Sequence, residues 1–385
     1  MVFNLRTFSF AESVEDDPTP PKTFSLKELR VATHNFSRDN FFSERVFGTL
    51  YWGRLADGSL VAVKRARTIF ECSEEQFETE VQVGRSVSAH QNVLRLRGFC
   101  RTKKELLLVY PLMINKNLRY HLRLRPDRST QPLGWTTRMC IALGAARGLA
   151  YLHNQGNVKI MHRDICTSSI FLNERFEATI GNFWRALIMH DGNAKEGTIQ
   201  WPARVSSSSQ GEDSADSDSD CPTYRLYEDV YVDTTYANGR VGFIAPEYLH
   251  TGKCTLRNDV HAFGKVLLEL ISGQPSAKLE ALAYDENLSL EEWIGGFMNK
   301  NELERLIDPN LQGNYVEEEA EQLLRLALLC ADGDPSVRLE MSEVVQMLES
   351  QLLGQDPSSR SSWSQSECDS TPYYSIPPSP SEMAL

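Results

Sequence analysis

The hydrophobic pattern changes near residue 117, and this change restricts the possible folds strongly. Before it, short runs rich in β-branched and aromatic residues are bounded by turn residues, as expected of strands. After it, apolar residues recur with helical spacing. The predicted strands are 47–55, 59–66, 93–100 and 105–113, and Ala56-Asp57-Gly58 is predicted to be a hairpin turn that joins the first two. The main predicted helices are 73–87, 136–155, 258–273 and 316–333. This order predicts an α+β fold with a small β-rich lobe and a larger helical lobe.

Composition and charge exclude several classes of protein. The 385 residues are 41% hydrophobic and 24% charged, which is typical of a globular chain, and the net charge of −12 argues against nucleic-acid partners. The eight cysteines are scattered without a C-x-x-C pair, so we expect reduced thiols and neither disulfides nor a zinc site. No run approaches the ~18 apolar residues of a membrane span. We therefore expect a cytoplasmic protein without direct membrane insertion.

The composition also divides the chain into regions. The lead-in and the Ser/Pro-rich tail are predicted to be disordered, and the folded region between them should form two lobes. A stretch with five acidic residues, seven serines and no basic residue is predicted to be a disordered insert. The boundaries are 1–23 for the lead-in, 24–113 for the N-lobe, 114–350 for the C-lobe, 206–220 for the insert and 351–385 for the tail.

Several short motifs follow these elements in order. Val61-Ala62-Val63-Lys64 ends a predicted strand, and Glu80 lies in the next predicted helix. His162-Arg163-Asp164 forms a polar turn between two apolar runs, and Ala245-Pro246-Glu247 comes later. Protein kinases carry such motifs in this order: the Lys contacts the ATP phosphates and pairs with the Glu, and the Asp accepts the substrate's proton. Each motif is weak alone, but their order and context are specific.

The chain resembles plant receptor-like kinases, in particular the somatic-embryogenesis receptor-like kinases, over residues 24–350. The stretches FSLKELRVATHNFS, GRLADGSLVAVKR, APEYLHTGK and LLRLALLCADGDPSVR carry the resemblance. It implies a bilobal serine/threonine kinase fold. Such relatives carry a leucine-rich ectodomain and a membrane span that this sequence lacks, through either a short gene product or an incomplete chain. The positions that would line an ATP site are Gly48, Ala62, Lys64, Tyr110, Met113 and Phe171.

The phosphate and metal positions depart from the family pattern. The stretch 43–48 keeps only the last glycine of G-x-G-x-x-G, so side chains stand where backbone N–H groups should approach phosphate. The Asn expected five residues after Asp164 is Ser169, and the expected D-F-G begins with Asn182. Neither position supplies the carboxylate that normally holds magnesium. We therefore predict no normal magnesium site, and ATP binding stays open.

Further departures surround the catalytic loop. Trp184 stands where a flexible glycine is expected, so the usual in/out movement of this segment should be blocked. Arg240 stands where a Thr normally steadies Asp164, and Gly84 replaces an apolar side chain, which predicts lost packing in the helix. We expect Asp164 to anchor its loop rather than act as a base, and we expect the Lys64–Glu80 pair to be structural.

Three interpretations of function remain. The first is a pseudokinase that acts as a scaffold or allosteric partner of a membrane receptor-like kinase, which would bring it to the plasma membrane. The second is a weak or metal-independent serine/threonine kinase that uses Lys64 and Asp164. The third is a diverged relic that only folds. The phosphorylation candidates are Thr234 and Thr235, by resemblance, and Ser209 and Ser217, which have an acidic residue three positions later.

Overall fold

The computed structural model describes most of the region predicted to fold. The described residues are 20–45, 48–66, 73–123, 131–154, 158–190, 198–200, 231–233, 238–240, 242–251 and 253–353. The acidic insert 206–220 lies outside them, as do most of the predicted lead-in and tail. The phosphorylation candidates Ser209, Ser217, Thr234 and Thr235 also lie outside the described residues.

A six-stranded sheet forms the N-lobe, with the strand order β1-β5-β6-β4-β3-β2. Its strands are β1 Lys22–Thr23, β2 Phe41–Arg45, β3 Gly48–Arg54, β4 Leu60–Ala66, β5 Gly98–Arg101 and β6 Leu106–Pro111. All neighbours are antiparallel except β1 and β5. The predicted hairpin between β3 and β4 is confirmed: the Leu55 N–H donates to Ser59 O at 3.0 Å, and Gly58 adopts the positive φ of 86° that such a turn requires.

Two helices pack against this sheet. Helix α1, Leu26–Ala32, begins with a capping box in which Ser25 and Glu28 bond reciprocally. Helix α2, Ser73–Ser86, contributes Phe77 and Val81 to an apolar cluster with side chains of β6. This packing turns the intervening Glu80 towards the sheet, which positions it for the candidate site.

The C-lobe is helical, as its periodicity predicts. Its helices are α3 Leu118–Arg123, α4 Trp135–His153, α5 Pro246–Thr251, α6 Leu256–Ser272, α7 Ser276–Asp285, α8 Leu290–Asn299, α9 Glu317–Cys330 and α10 Met341–Leu353. Helix α6 is buried from Asn258 to Ser272 and forms the centre of the main hydrophobic core. Among the residues that the structure describes, no helix combines the length and apolar character needed to cross a membrane.

The described part of the C-lobe also contains short antiparallel strand pairs. They are β7 Val158–Met161 with β10 Leu187–His190, β8 Ile170–Leu172 with β9 Ala178–Ile180, β11 Thr198–Gln200 with β14 Lys253–Thr255, and β12 Tyr231–Asp233 with β13 Asn238–Arg240. Strands β7 and β8 flank the polar turn that contains His162-Arg163-Asp164. The predicted strand–turn–strand arrangement of this segment is therefore confirmed.

Two predicted region boundaries need correction. The lead-in was expected to end at residue 23, but β1 pairs with β5 and the Lys22 N–H donates to Arg97 O at 2.9 Å. The tail was expected to begin at residue 351, but α10 continues to Leu353, and Leu352 packs against the main core. Both segments are held by backbone pairing or apolar burial that composition alone does not reveal.

Candidate functional site

Lys64 and Glu80 meet in the N-lobe side of the cleft. Lys64 Nζ, on β4, donates to Glu80 Oε1 at 2.7 Å, and Tyr110 Oη, on β6, donates to the other carboxylate oxygen. The Glu80 side chain is only 1% exposed. Burial and the neighbouring Glu80 carboxylate raise the pKa of Tyr110 well above its usual range. The pair has the geometry that active kinases require, and the contribution of Tyr110 was not predicted.

The predicted adenine-side residues lie together. Tyr110, Met113 and Phe171 belong to one apolar cluster between the sheet and α2, and Ala62 is the register partner of Tyr110. Gly48, the remaining glycine of the loop, has a local explanation: an added Cβ would lie 2.6 Å from Arg65 O on the paired strand. Close strand pairing therefore accounts for this glycine without a bound phosphate.

Asp259, on α6, organises the backbone of the catalytic loop. Its carboxylate accepts from His162 N at 2.7 Å and Arg163 N at 2.8 Å, and His153 Nε2 lies 3.0 Å from it. Burial alone would raise the pKa of Asp259, but the hydrogen bond and charge of His153 and the nearby His162 outweigh it and leave the pKa lowered. Arg163 takes a positive φ of 62° and donates from Nη2 to Tyr248 Oη at 2.7 Å.

The carboxylate of Asp164, at the position of the catalytic base, is held from two sides. Trp184 Nε1 donates to Oδ2 at 3.1 Å, and Arg240 Nε lies 3.5 Å from Oδ1. Asp164 is 5% exposed and Trp184 is 8% exposed. The Arg185 guanidinium lies over the Trp184 ring, 4.1 Å from its centroid. The sequence-based predictions do not include this joint contact, although both partners were noted as departures near Asp164.

The two positions that normally bind metal carry neutral side chains engaged with the backbone. Ser169 Oγ accepts from Cys166 N at 3.0 Å and donates to Cys166 O at 2.8 Å, and the residue is fully buried. Asn182 has a positive φ of 67°, and its Nδ2 donates to Ser168 O at 3.3 Å. Throughout the described part of the chain, no group of three or more His, Cys, Asp and Glu residues is arranged to hold a metal ion.

The packing loss predicted at Gly84 is wrong. An added Cβ at Gly84 would lie 2.7 Å from Leu96 Cβ and 2.8 Å from Leu96 Cδ2, so the Leu96 side chain already occupies this space. Nearby, Phe183 is buried with its ring centroid 5.3 Å from that of His162. The interior is therefore repacked around the glycine instead of being left empty.

A buried arginine holds the last residue of the Ala245-Pro246-Glu247 motif. Arg338 donates from Nη1 and Nη2 to the two oxygens of Glu247, each at 2.7 Å, and its side chain is fully buried. This bidentate pair joins the residue that ends the Ala245-Pro246-Glu247 motif to the segment before α10. Like Asp259, it serves the architecture of the lobe and does not depend on a nucleotide.

Comparisons with known proteins agree with this fold. The family of protein tyrosine and serine/threonine kinases matches residues 39–348. A probable LRR receptor-like serine/threonine-protein kinase of Arabidopsis thaliana is 39% identical over 337 residues, which cover 87% of this chain and 48% of the relative. The LRR receptor kinase SERK2 of Oryza sativa subsp. japonica is 38% identical over 337 residues, covering 87% and 49%. The chain spans about half the length of these curated relatives. Because the family match covers most of the chain, the chain belongs to the protein tyrosine and serine/threonine kinase family.

Proposed function

We propose that the chain is a catalytically impaired member of this family, a pseudokinase that acts as a scaffold or allosteric partner in receptor-like kinase signalling. The observation that carries the proposal is the chemistry of the metal positions. Ser169 and Asn182 supply no carboxylate, and their side chains bond to the backbone of the catalytic loop. The retained family residues, such as Asp259 and Arg338, support the fold. The replaced positions, Ser169 and Asn182, are those that bind metal in other members of the family.

The donor set does not fit the magnesium ions of kinase catalysis. Magnesium prefers near-octahedral oxygen coordination with one or two carboxylates and the substrate phosphates. The Ser169 hydroxyl already uses its proton on Cys166 O, and the Asn182 amide offers a neutral group in place of a charge. Removing one well-placed electrostatic group typically slows an enzyme by ~10²–10³. Two independent losses would slow phosphoryl transfer by roughly 10⁴–10⁶.

One observation favours a second candidate function. Lys64 and Glu80 keep their 2.7 Å contact, and the apolar positions around Tyr110 remain assembled. A weak or metal-independent serine/threonine kinase that binds ATP through Lys64 is therefore the alternative. The two candidates differ only partly in nucleotide binding, and they differ fully in whether phosphate is transferred under any metal condition.

A thermal-shift titration with ATP, combined with a phosphate-transfer assay under varied metal conditions, separates them. The purified chain is titrated with and without magnesium or manganese, beside Lys64→Met. A ligand at 100 times its Kd stabilises by ~2.7 kcal/mol, so binding is measurable. We expect no metal-dependent shift at millimolar ATP. A shift that disappears in Lys64→Met and accompanies radiolabelled phosphate transfer, with or without added metal, would establish the kinase alternative.

The proposed partner is the kinase domain of a membrane receptor-like kinase. The support is the family itself, since the relatives named above are receptor kinases. The acidic insert and Thr234–Thr235 would provide a segment whose charge changes by about −1.5 to −2 with each phosphate. Ala substitutions at Ser209 and Ser217 should weaken capture of such a kinase domain from solution. Unchanged capture would exclude the insert as the docking segment.

A further inference from the structure

The Asp164 carboxylate lies where three segments of the C-lobe meet. Asp164 itself belongs to the catalytic loop, Trp184 follows β9, and Arg240 ends β13. By resemblance to kinases, residues 182–247 are the activation segment, and Trp184 and Arg240 stand near its start and its end. One buried side chain therefore contacts both ends of this segment.

The contact with Trp184 is needed by both partners. A buried indole N–H requires an acceptor, and Asp164 Oδ2 supplies it at 3.1 Å. A buried carboxylate likewise requires donors or a countercharge. The Arg185 guanidinium lies over the indole, 4.1 Å from the ring centroid, as a cation–π contact. The position that is glycine in the D-F-G motif of kinases therefore carries a side chain hydrogen-bonded to the catalytic loop here.

Arg240 supplies the countercharge on the other oxygen. Its Nε lies 3.5 Å from Asp164 Oδ1, and its side chain is only 11% exposed. An ion pair shielded from water in this way is screened little by salt. A small cavity of about 30 Å³ beside it is lined by Arg163, Asp164 and Arg240, together with Tyr248 and Cys254.

We propose that Asp164 is a tether for the activation segment: Trp184 and Arg240 bind its two carboxylate oxygens and thereby fasten both ends of the segment to the catalytic loop. The tether rests on the proposed function, because a carboxylate committed to these contacts is not presented to a substrate hydroxyl. It holds the two described ends of the segment against the catalytic loop without phosphorylation, and so presents these ends in one arrangement to a protein partner.

Hydrogen exchange on the full chain tests the tether. Asp164→Ala removes the acceptor, and we expect amide exchange in 184–190 and in 238–251 to rise about tenfold or more, because a hydrogen bond to a charged group is lost. Trp184→Phe keeps the ring and removes the donor, and Arg240→Thr removes the countercharge. Each should raise exchange in its own segment. Neither should add a further increase to Asp164→Ala, because the partner is already lost.

Trp135→Phe is the matched control. Trp135 is also a buried indole, and its Nε1 donates to Glu319 Oε2 at 2.6 Å. This contact does not involve the catalytic loop. Its substitution should leave exchange in 184–190 and 238–251 at the wild-type rate. A folded Asp164→Ala protein with wild-type exchange in both segments would overturn the tether. If Asp164→Ala does not fold, wild-type exchange in folded Trp184→Phe and Arg240→Thr would overturn it equally.

The tether and the proposed function can fail separately. Radiolabelled phosphate transfer by the wild-type chain would disprove the pseudokinase assignment whatever the exchange rates show. An inactive wild-type chain with unchanged exchange in the variants would disprove only the tether. Increased exchange in all three variants together with an inactive wild-type chain supports both.

Discussion

Glu80 illustrates how a kinase residue can persist for structural reasons. Its side chain is 1% exposed, and its carboxylate accepts from Lys64 Nζ and Tyr110 Oη. A buried carboxylate that lost its cation would keep the full cost of desolvation. The stability of the fold therefore favours retention of the pair independently of any role in phosphate chemistry.

Lys64→Met should lower the free energy of unfolding by about 3–5 kcal/mol, because it leaves Glu80 buried without its cation. Denaturant unfolding measures this loss. Arg101→Met is the control: Arg101 also ties the sheet to α2 through Glu74 and Glu78, but these side chains are exposed, so the cost should not exceed about 1 kcal/mol. A Lys64→Met protein as stable as Arg101→Met would contradict a structural role for the pair.

His261 on α6 is a buried titratable group outside the cleft. Burial, aided by the nearby cations Lys265 and Arg338, lowers its pKa from 6.5 to about 3, against a weak opposing contact with Phe243 O. The unfolded chain binds a proton at this residue below about pH 6.5, and the folded chain does not until about pH 3. Its contribution to stability therefore falls as the pH falls through this window.

Replacing His261 by Gln should flatten the acid side of the stability profile. In the wild-type chain this group lowers the free energy of unfolding by up to about 1.4 kcal/mol for each unit by which the pH falls between pH 6.5 and pH 5. Urea unfolding at several pH values in this range gives the slope of the free energy of unfolding against pH for the wild type and for the variant. Equal slopes for the wild type and His261→Gln would show that the histidine is not held neutral in the folded state.

At the scale of elements, α2 depends on a glycine that helix propensity disfavours. Gly84 costs about 1 kcal/mol relative to Ala in a helix interior. The structure explains its presence, since Leu96 fills the space where its side chain would lie. Helix α2 and the segment before β5 therefore approach closely at this point.

Gly84→Ala should destabilise the chain by about 1 kcal/mol net, because overpacking against Leu96 Cβ outweighs the gain in propensity. Thermal or denaturant unfolding provides the comparison. Gly295→Ala on α8 is the matched control, since nothing lies within 4 Å of its added Cβ, and it should stabilise by about 0.5–1 kcal/mol. If both substitutions stabilise the chain, the close contact at Gly84 does not exist.

At the scale of the whole molecule, a buried arginine connects distant parts of the C-lobe. Arg138 on α4 donates to Leu270 O at 2.7 Å, to Leu133 O at 2.9 Å and to Asp308 Oδ2 at 2.5 Å. The side chains of Arg138 and Asp308 are 1% and 3% exposed. The pair therefore links α4, α6 and the loop before α9 without solvent access.

Arg138→Met should cost about 3–5 kcal/mol, because Asp308 would be left buried and unpaired. Arg147 on the same helix pairs with Glu349, but their side chains are 40% and 34% exposed, so Arg147→Met should cost at most about 1 kcal/mol. The denaturant concentration at the midpoint of unfolding measures the loss of stability in each variant, and it should be lower for Arg138→Met than for Arg147→Met. Similar midpoints would mean that burial does not decide the strength of these pairs.

The sequence by itself determined the features that depend on near neighbours. The change of periodicity near residue 117 predicted the two lobes, the turn around Gly58 predicted the β3–β4 hairpin, and the ordered motifs identified Lys64, Glu80 and Asp164. These features depend on residues that are close together in the sequence: the strand and helix periods, the turn residues and the motif spacing. They can therefore be predicted before any contact between distant segments is known.

Only the tertiary structure decided which distant side chains meet. It brought Trp184 and Arg240 to Asp164, Tyr110 to Glu80, and Leu96 to Gly84. Each contact joins segments separated in sequence, and each depends on close packing that fixes distances to a fraction of an ångström. The replacements could be recognised one by one from the sequence, but their joint effect on a single carboxylate required the folded chain.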